Sequence, residues 1–264
     1  MNEEVWEQAL KGIELGPRFY YDRVGSTNDM AQEIAAGGGP DLTLVVADEQ
    51  LRGRGRQGRS WYTPRGAGLA FSVILLPDSG IIHAGDLSRV NGLGALSVAK
   101  ALRDGFSIPA EIKWPNDVLV EGRKVCGVLV ESHWKGDRLK NVILGIGINV
   151  DPASIPKGME LRFPAASLVQ VSGRELERPL LLRWVLKKLV AWYPRISSDA
   201  FLAAWEEMLA FRGQRVALSL HGKVIAEGKI AGLGPDGALR LEKRSGKVEG
   251  FRVGEIQLRP VDRS

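Results

Sequence analysis

The sequence predicts an α/β (α+β) protein: a mixed β-sheet flanked by helices, followed by a small C-terminal β-barrel. Up to about residue 211, apolar β-branched runs alternate with segments whose apolar residues recur at helical spacing. Beyond that point the texture changes to short alternating strands parted by turn residues. With 264 residues, 44% hydrophobic and 25% charged, the chain has enough apolar material for one large core and a small second unit. The boundary falls near residue 212, dividing the chain into 1–211 and 212–264.

Residues 3–13 read as an amphipathic helix, and 18–24, with Phe19, Tyr20 and Tyr21, as a strand. In Gly25-Ser26-Thr27-Asn28-Asp29 a hydroxyl caps the helix that runs to about Ala36, and Asp29 sits in its favourable first turn. The Gly37-Gly38-Gly39-Pro40 turn ends it. The apolar run 42–47 is a buried strand that delivers Asp48-Glu49-Gln50 to a basic loop. Residues 67–76 form the next strand, 85–102 a helix, and 111–114 lead to a turn at Pro115-Asn116-Asp117. Residues 118–120 and 125–131 form a hairpin across Glu121-Gly122, which returns Lys124 opposite the aspartate's turn. Residues 142–150 are a central strand, in which Gly145 and Gly147 mean that something packs closely over it. Helices follow at 180–193 and 199–211. The closing strands are separated by His221-Gly222, Gly234-Pro235-Asp236-Gly237 and Ser245-Gly246, as in a small barrel.

Composition narrows the function classes. No apolar run reaches membrane-span length, and the opening MNEEVWEQAL lacks the succession of a secretory leader, so a soluble cytoplasmic protein is expected. The single cysteine, Cys126, excludes an internal disulfide and a multi-cysteine zinc site, and reads as a small buried side chain. His83, His133 and His221 have no metal-ligand spacing and read as structural or surface residues. A nucleophile elbow GxSxG is absent.

The net charge of +5 is concentrated, with Arg52, Arg54, Arg56 and Arg59 lying in one short loop, which favours a small anionic ligand over a duplex groove. Within it, Gly53-Arg54-Gly55-Arg56-Gln57-Gly58-Arg59-Ser60 satisfies GxGxxG and nearly satisfies a P-loop. Both readings fail, because each needs a helix opening at the last glycine and Trp61-Tyr62-Thr63-Pro64 is extended. What survives is a mobile loop of forked guanidinium donors, suited to carboxylate and phosphate oxygens and mutually repulsive without an anion. The second constellation is Lys113-Trp114-Pro115-Asn116-Asp117 with Lys124: lysine neutralises phosphate, and aspartate binds Mg²⁺ or orients a donor.

Taken together, Ser26-Thr27-Asn28, Gln50, GRGRQGRSW, KWPND, Lys124 with the GVLVE strand, and GIGINV resemble the biotin protein ligase family in order and spacing. The resemblance is strong over residues 18–150 and looser over the terminal barrel. It implies a class II synthetase-like biotin/lipoate ligase fold with an SH3-like C-terminal barrel. It also implies the activity of a biotin–[acetyl-CoA-carboxylase] ligase: ATP and biotin as substrates, Mg²⁺, a biotinyl-5'-AMP intermediate, and transfer to one lysine of a biotin carboxyl carrier protein. By the resemblance, Ser26, Thr27, Asn28 and Gln50 meet the ureido ring of biotin. Arg54, Gly55 and Arg56 close over the carboxylate and adenylate phosphate, while Arg59 and Trp61 lie by the polyphosphate and adenine. Lys124 bridges carboxylate and α-phosphate, Lys113, Asn116 and Asp117 serve the phosphates and metal, and Asp117 also takes the acceptor lysine's proton. Asn149 lies by the nucleotide, and Gly127 and Gly147 leave room for ligand. Bifunctional members carry an N-terminal winged helix-turn-helix that has no counterpart before Arg18, so the monofunctional type, without DNA as partner, is expected; a homodimer stays open. The usual small or polar lead into the glycine loop is replaced by Leu51-Arg52. Two rivals differ in testable ways: a lipoate or octanoate ligase does not need the STN and Gln50 set, and a basic nucleic-acid-binding protein would ignore biotin and bind less tightly as salt rises.

Overall fold

The computed structural model describes residues 1–156, 163–220, 223–252 and 256–260. In chain order it contains α1 (Glu3–Leu10), β1 (Arg18–Tyr21), α2 (Thr27–Ala36), β2 (Leu44–Ala47), β3 (Gly68–Leu75) and α3 (Leu87–Phe106). Then come β4 (Ala110–Lys113), β5 (Asp117–Val120), β6 (Arg123–Lys135), β7 (Arg138–Asn149), α4 (Leu168–Ser172), α5 (Arg178–Trp192) and α6 (Asp199–Glu207). The C-terminal part holds β8 (Arg215–Leu220), β9 (Lys223–Leu233), β10 (Leu239–Glu242), β11 (Val248–Phe251) and β12 (Ile256–Pro260).

Strands β1 to β7 form one mixed sheet in the order β1-β2-β3-β7-β6-β5-β4, in which β1 and β2 are parallel and the other neighbours antiparallel. Because side chains alternate along a strand, the sheet has two different faces. On one, Leu44, Val46, Val73, Leu75, Leu144 and Ile146 join the main core under α3 and α5. On the other, Val45, Ile74 and Ile143 pack with Ala31 of α2 in a small separate cluster. Ser72, Gly145 and Gly147 share this second face with Ile74 and Ile143. The alternation Gly-Ile-Gly-Ile thus assigns the isoleucines to the core and the glycines to a shallow floor.

Element ends depart locally from the sequence reading. The first helix stops at Leu10, before Gly12 at φ 80°, and α3 runs past Leu102 to Phe106, where Ser107 closes it in the left-handed region. Helix α6 ends at Glu207. The β5–β6 turn is as expected: Glu121 and Gly122 both have positive φ, 51° and 70°, the tight hairpin geometry that matches strand twist.

The expected C-terminal barrel is corrected. Strands β8 to β12 form an open sheet in the order β11-β10-β9-β8-β12, and no pairing joins β11 to β12 among the described residues. Val216, Leu218, Ile230, Leu239 and Leu241 of this sheet are buried, and the apolar cluster they belong to is continuous with that of the larger sheet. Polar contacts reinforce the join: Trp114 Nε1 donates to Gly237 O at 3.0 Å, and Leu233 N to Glu206 Oε2 at 2.8 Å. His221 and Gly222, read as a turn, lie outside the described residues. Cys126 is buried, as expected, and burial pushes its thiol far above the ordinary range. Among the described residues no helix is long and apolar enough to cross a membrane.

Candidate active site

A cleft of about 1040 Å³ opens on the glycine face of the large sheet, roofed by residues 50–63. Ser26, Thr27, Asn28, Gln50, Arg54, Gly55, Arg56, Arg59 and Trp61 all line it, as do Lys113, Asn116, Asp117, Lys124, Gly127 and Asn149.

One end is a closed set of amide and hydroxyl groups. Ser26 is the N-cap residue of α2, but its side chain makes no capping bond. Gln50 Oε1 accepts from Thr27 N at 2.9 Å and Thr27 Oγ1 at 3.1 Å, and its Nε2 donates to Thr63 Oγ1 at 3.2 Å. Ser72 Oγ lies 2.8 Å from Thr27 Oγ1 and 2.6 Å from Asn28 Oδ1. Ser72 was not singled out in the sequence, although a lone hydroxyl inside the otherwise apolar β3 run GLAFSVIL was the available signal. Thr63 and Glu131 were missed as well, since neither residue type stands out in its segment.

The other end is a buried charge cluster. Asp117 Oδ1 lies 2.6 Å from Lys124 Nζ, and Oδ2 lies 3.6 Å from Lys113 Nζ. Burial pulls the Asp117 carboxyl upward, but the Lys124 and Lys113 ammonium groups and the Arg56 guanidinium outweigh it and hold it below the usual carboxylate range. Lys124 reaches this position through a bulge. The β5–β6 register shifts between Val118 and Leu119, so Val125 and Cys126 are both buried while Lys124 turns to the cleft. Lys113, only 8% exposed, also stands over the Phe163 ring at 4.3 Å. Asn116 is fixed by Nδ2 donating to Val128 O at 2.7 Å, in a turn that contains a cis Trp114–Pro115 bond. Asn149, buried at the end of β7, donates to Ala166 O at 3.3 Å.

The arginine loop is a tight hairpin with a 3-10 turn at Arg56–Gly58 and no helix after its last glycine, in line with the rejection of the dinucleotide and P-loop readings. Arg54 forks onto Asp29 at 2.8 and 2.6 Å and reaches both Glu131 oxygens at 3.3 Å. Arg56 Nη1 donates to Asn116 Oδ1 at 3.1 Å, and Arg59 Nη2 to Gln57 Oε1 at 2.6 Å. Burial lowers the Arg56 pKa from the ordinary guanidinium range, despite the Asp117 charge. Arg54, Arg56 and Arg59 each turn to an acceptor, and the like charge of Arg59 still acts on Arg56, as the crowded sequence implied. Past the loop, Trp61 lies on the sheet floor: a Cβ on Gly147 would sit 2.3 Å from Trp61 Nε1, and one on Gly127 would sit 3.1 Å from its ring. The room those glycines make is therefore filled by the indole, which Lys124 Nζ approaches to 5.4 Å of its centroid.

The chain is similar to known proteins in sequence and fold. The Biotin/lipoate A/B protein ligase family model matches residues 20–149. The bifunctional ligase/repressor BirA of Bacillus spizizenii is 36% identical over 98% of this chain and 79% of its own length. The chain belongs to the biotin/lipoate protein ligase family. Within the family, the biotin–[acetyl-CoA-carboxylase] ligase of Paracoccus denitrificans is 32% identical over 85% of this chain and 94% of its own. Among solved family structures, the Aquifex aeolicus biotin protein ligase in complex with biotin and ATP superposes with a TM-score of 0.78 and 32% identity, over 93% of this chain and 99% of that one.

Proposed function

We propose that this chain is a biotin–[acetyl-CoA-carboxylase] ligase that activates biotin with ATP and transfers it to one lysine of a biotin carboxyl carrier domain. The supporting observation is that one cleft holds both a closed hydroxyl–amide pocket at Thr27 and Gln50 and a cationic cluster of Lys113, Lys124 and Arg56 around Asp117. A ureido ring, rigid and with paired donors and acceptors, suits the first; a carboxylate reacting with a triphosphate suits the second.

In the first half-reaction a biotin carboxylate oxygen attacks the α-phosphorus of ATP, the bond to the bridging oxygen breaks, and pyrophosphate leaves. Lys124 and Arg56 stabilise the negative charge that gathers on the α-phosphoryl oxygens, with Lys113 and Asn116 toward the remaining phosphates and Arg59, Trp61 and Asn149 toward the nucleotide. In the second, the carrier's neutral ε-amine attacks the acyl carbon and AMP leaves with the bonding pair. Asp117 orients Lys124 and Lys113. In this reading the Asp117 carboxylate also takes the acceptor lysine's proton as the amide forms. Asp117 does not fit a metal ligand, because each carboxylate oxygen already faces an ammonium group. Among the described residues no three His, Cys, Asp or Glu side chains gather around a metal position. In this reading Mg²⁺ arrives on the ATP phosphates as part of the substrate. The reading places the enzyme in the cytoplasm with no role on DNA, the catalytic part within 1–211 and the C-terminal sheet within 212–264.

The test is to incubate the chain with biotin, ATP, Mg²⁺ and a carrier domain and to follow carrier mass. Addition of biotin to one lysine is expected; modification by lipoate or octanoate but not biotin would overturn the substrate assignment.

A further inference from the structure

Asn28 stands in sequence beside Ser26 and Thr27, yet its amide is engaged by protein at both ends. Ser72 Oγ lies 2.6 Å from its Oδ1, and its Nδ2 donates to Glu131 Oε2 at 2.6 Å. The amide is buried over Gly145, where a Cβ would sit 2.2 Å from Oδ1. The same Glu131 carboxylate receives Arg54 Nη2 at 3.3 Å on each oxygen, and Arg54 forks onto Asp29, the next residue along α2. An unbroken chain of polar contacts therefore runs from the floor of the closed pocket, through β6, to the arginine loop and back to the first turn of α2. Neither Asp29 nor Glu131 was assigned a role by motif.

We propose that Glu131 is a positioning residue that couples the closed pocket to the arginine loop, with Asp29 as a second strut holding Arg54. Two carboxylates in front of one guanidinium hold the loop over the cleft before any anionic ligand arrives. They also commit the Arg54 side chain to protein, leaving Arg56 as the guanidinium that meets ligand oxygens. Through Asn28, displacement of the pocket wall moves the Glu131 carboxylate and so the loop, which ties filling of the pocket to retention of what is made there. The inference rests on the biotin reading, because it concerns an adenylate formed in this cleft.

The experiment measures dissociation of preformed biotinyl-adenylate, the KM for biotin and the kcat for pyrophosphate release, with melting temperature as a folding control. Glu131→Gln keeps an acceptor for Asn28 but removes the charge facing Arg54, so adenylate should dissociate about tenfold faster while KM for biotin shifts less than about threefold. Glu131→Ala removes the Asn28 acceptor as well, and KM for biotin should rise about tenfold with a smaller fall in kcat. Asp29→Asn should speed dissociation to a lesser degree than Glu131→Gln. If Glu131→Ala does not fold, Glu131→Gln and Asp29→Asn decide. Wild-type retention in both of these would overturn the coupling while leaving the ligase reading intact. A wild-type chain that forms no biotinyl-adenylate would end the ligase reading and the coupling together.

Discussion

Two basic regions face each other across the cleft, and they hold their charges in opposite ways. In the arginine loop Arg54 and Arg59 are exposed and Arg56 is half-buried, and these three guanidinium groups have acceptors: Asp29 and Glu131 for Arg54, Asn116 for Arg56, Gln57 for Arg59. The Lys113–Asp117–Lys124 cluster is packed into the sheet, and one carboxylate faces two ammonium groups. Exposed ion pairs are each weak because water screens them, and it takes both Asp29 and Glu131 to hold Arg54 and the loop over the cleft. A cluster packed this closely cannot rearrange cheaply, because removing its one carboxylate leaves two cations facing each other. The difference separates a closing element from a fixed electrostatic surface of the kind that stabilises developing charge without reorganisation.

The comparison breaks most visibly at Lys124. Lys124→Ala should lower the rate of pyrophosphate release about 100- to 1000-fold, measured as burst and steady-state release with saturating substrates. A loss smaller than that caused by Arg59→Ala would mean that the fixed cluster is not the reacting end. Asp117→Asn should act on stability too. It strands the buried Lys113, and about 3 kcal/mol of unfolding free energy should be lost at pH 7, read from denaturant titration.

The pH dependence of that loss follows from the sign of the shift. Asp117 has its folded pKa below its unfolded value, so its contribution is fully present above the unfolded pKa and is lost as pH falls through the folded one. The stability gap between wild type and Asp117→Asn should therefore persist through neutral pH and close only in acid, below the ordinary aspartate value of about 3.9. A gap that narrowed between pH 6 and 8, about two to four units above that value, would contradict the ion-pair geometry.

Arg56→Gly sharpens the loop side. Its expected effect is on retention: biotinyl-adenylate should escape about tenfold faster than from wild type and label bystander lysines, detected by mass spectrometry of an added protein. Unchanged bystander labelling would remove Arg56 from the closing role. The smallest effect is expected at Trp114→Phe, which deletes one buried hydrogen bond to Gly237 O and should cost about 1 kcal/mol of stability. A null result there would show that this hydrogen bond does not help to hold the C-terminal sheet.

Much of the cleft was legible in the sequence because the relevant signals are local. Glycines at alternate positions of an apolar strand mark a floor, a proline-containing turn between strands fixes where Lys113 and Asp117 emerge, and the hairpin across Glu121-Gly122 returns Lys124. Contacts between distant segments were not legible. Ser72, Thr63 and Glu131 are ordinary residues that matter only because the sheet brings β3, the roof and β6 against α2. The bulge that turns Lys124 into the cleft, and the acceptors that hold the arginines, depend on register and side-chain reach that a single sequence does not reveal. The C-terminal strands were identified, but closure into a barrel depends on pairing between distant strands, which is not a local property.

The most direct test of the account is biotin-dependent exchange of labelled pyrophosphate into ATP, run in the absence of any carrier protein. Exchange that requires biotin, is not supported by lipoate or octanoate, and falls sharply in Lys124→Ala is the predicted result. Exchange that is independent of biotin, or that Lys124→Ala carries out as fast as wild type, would contradict it.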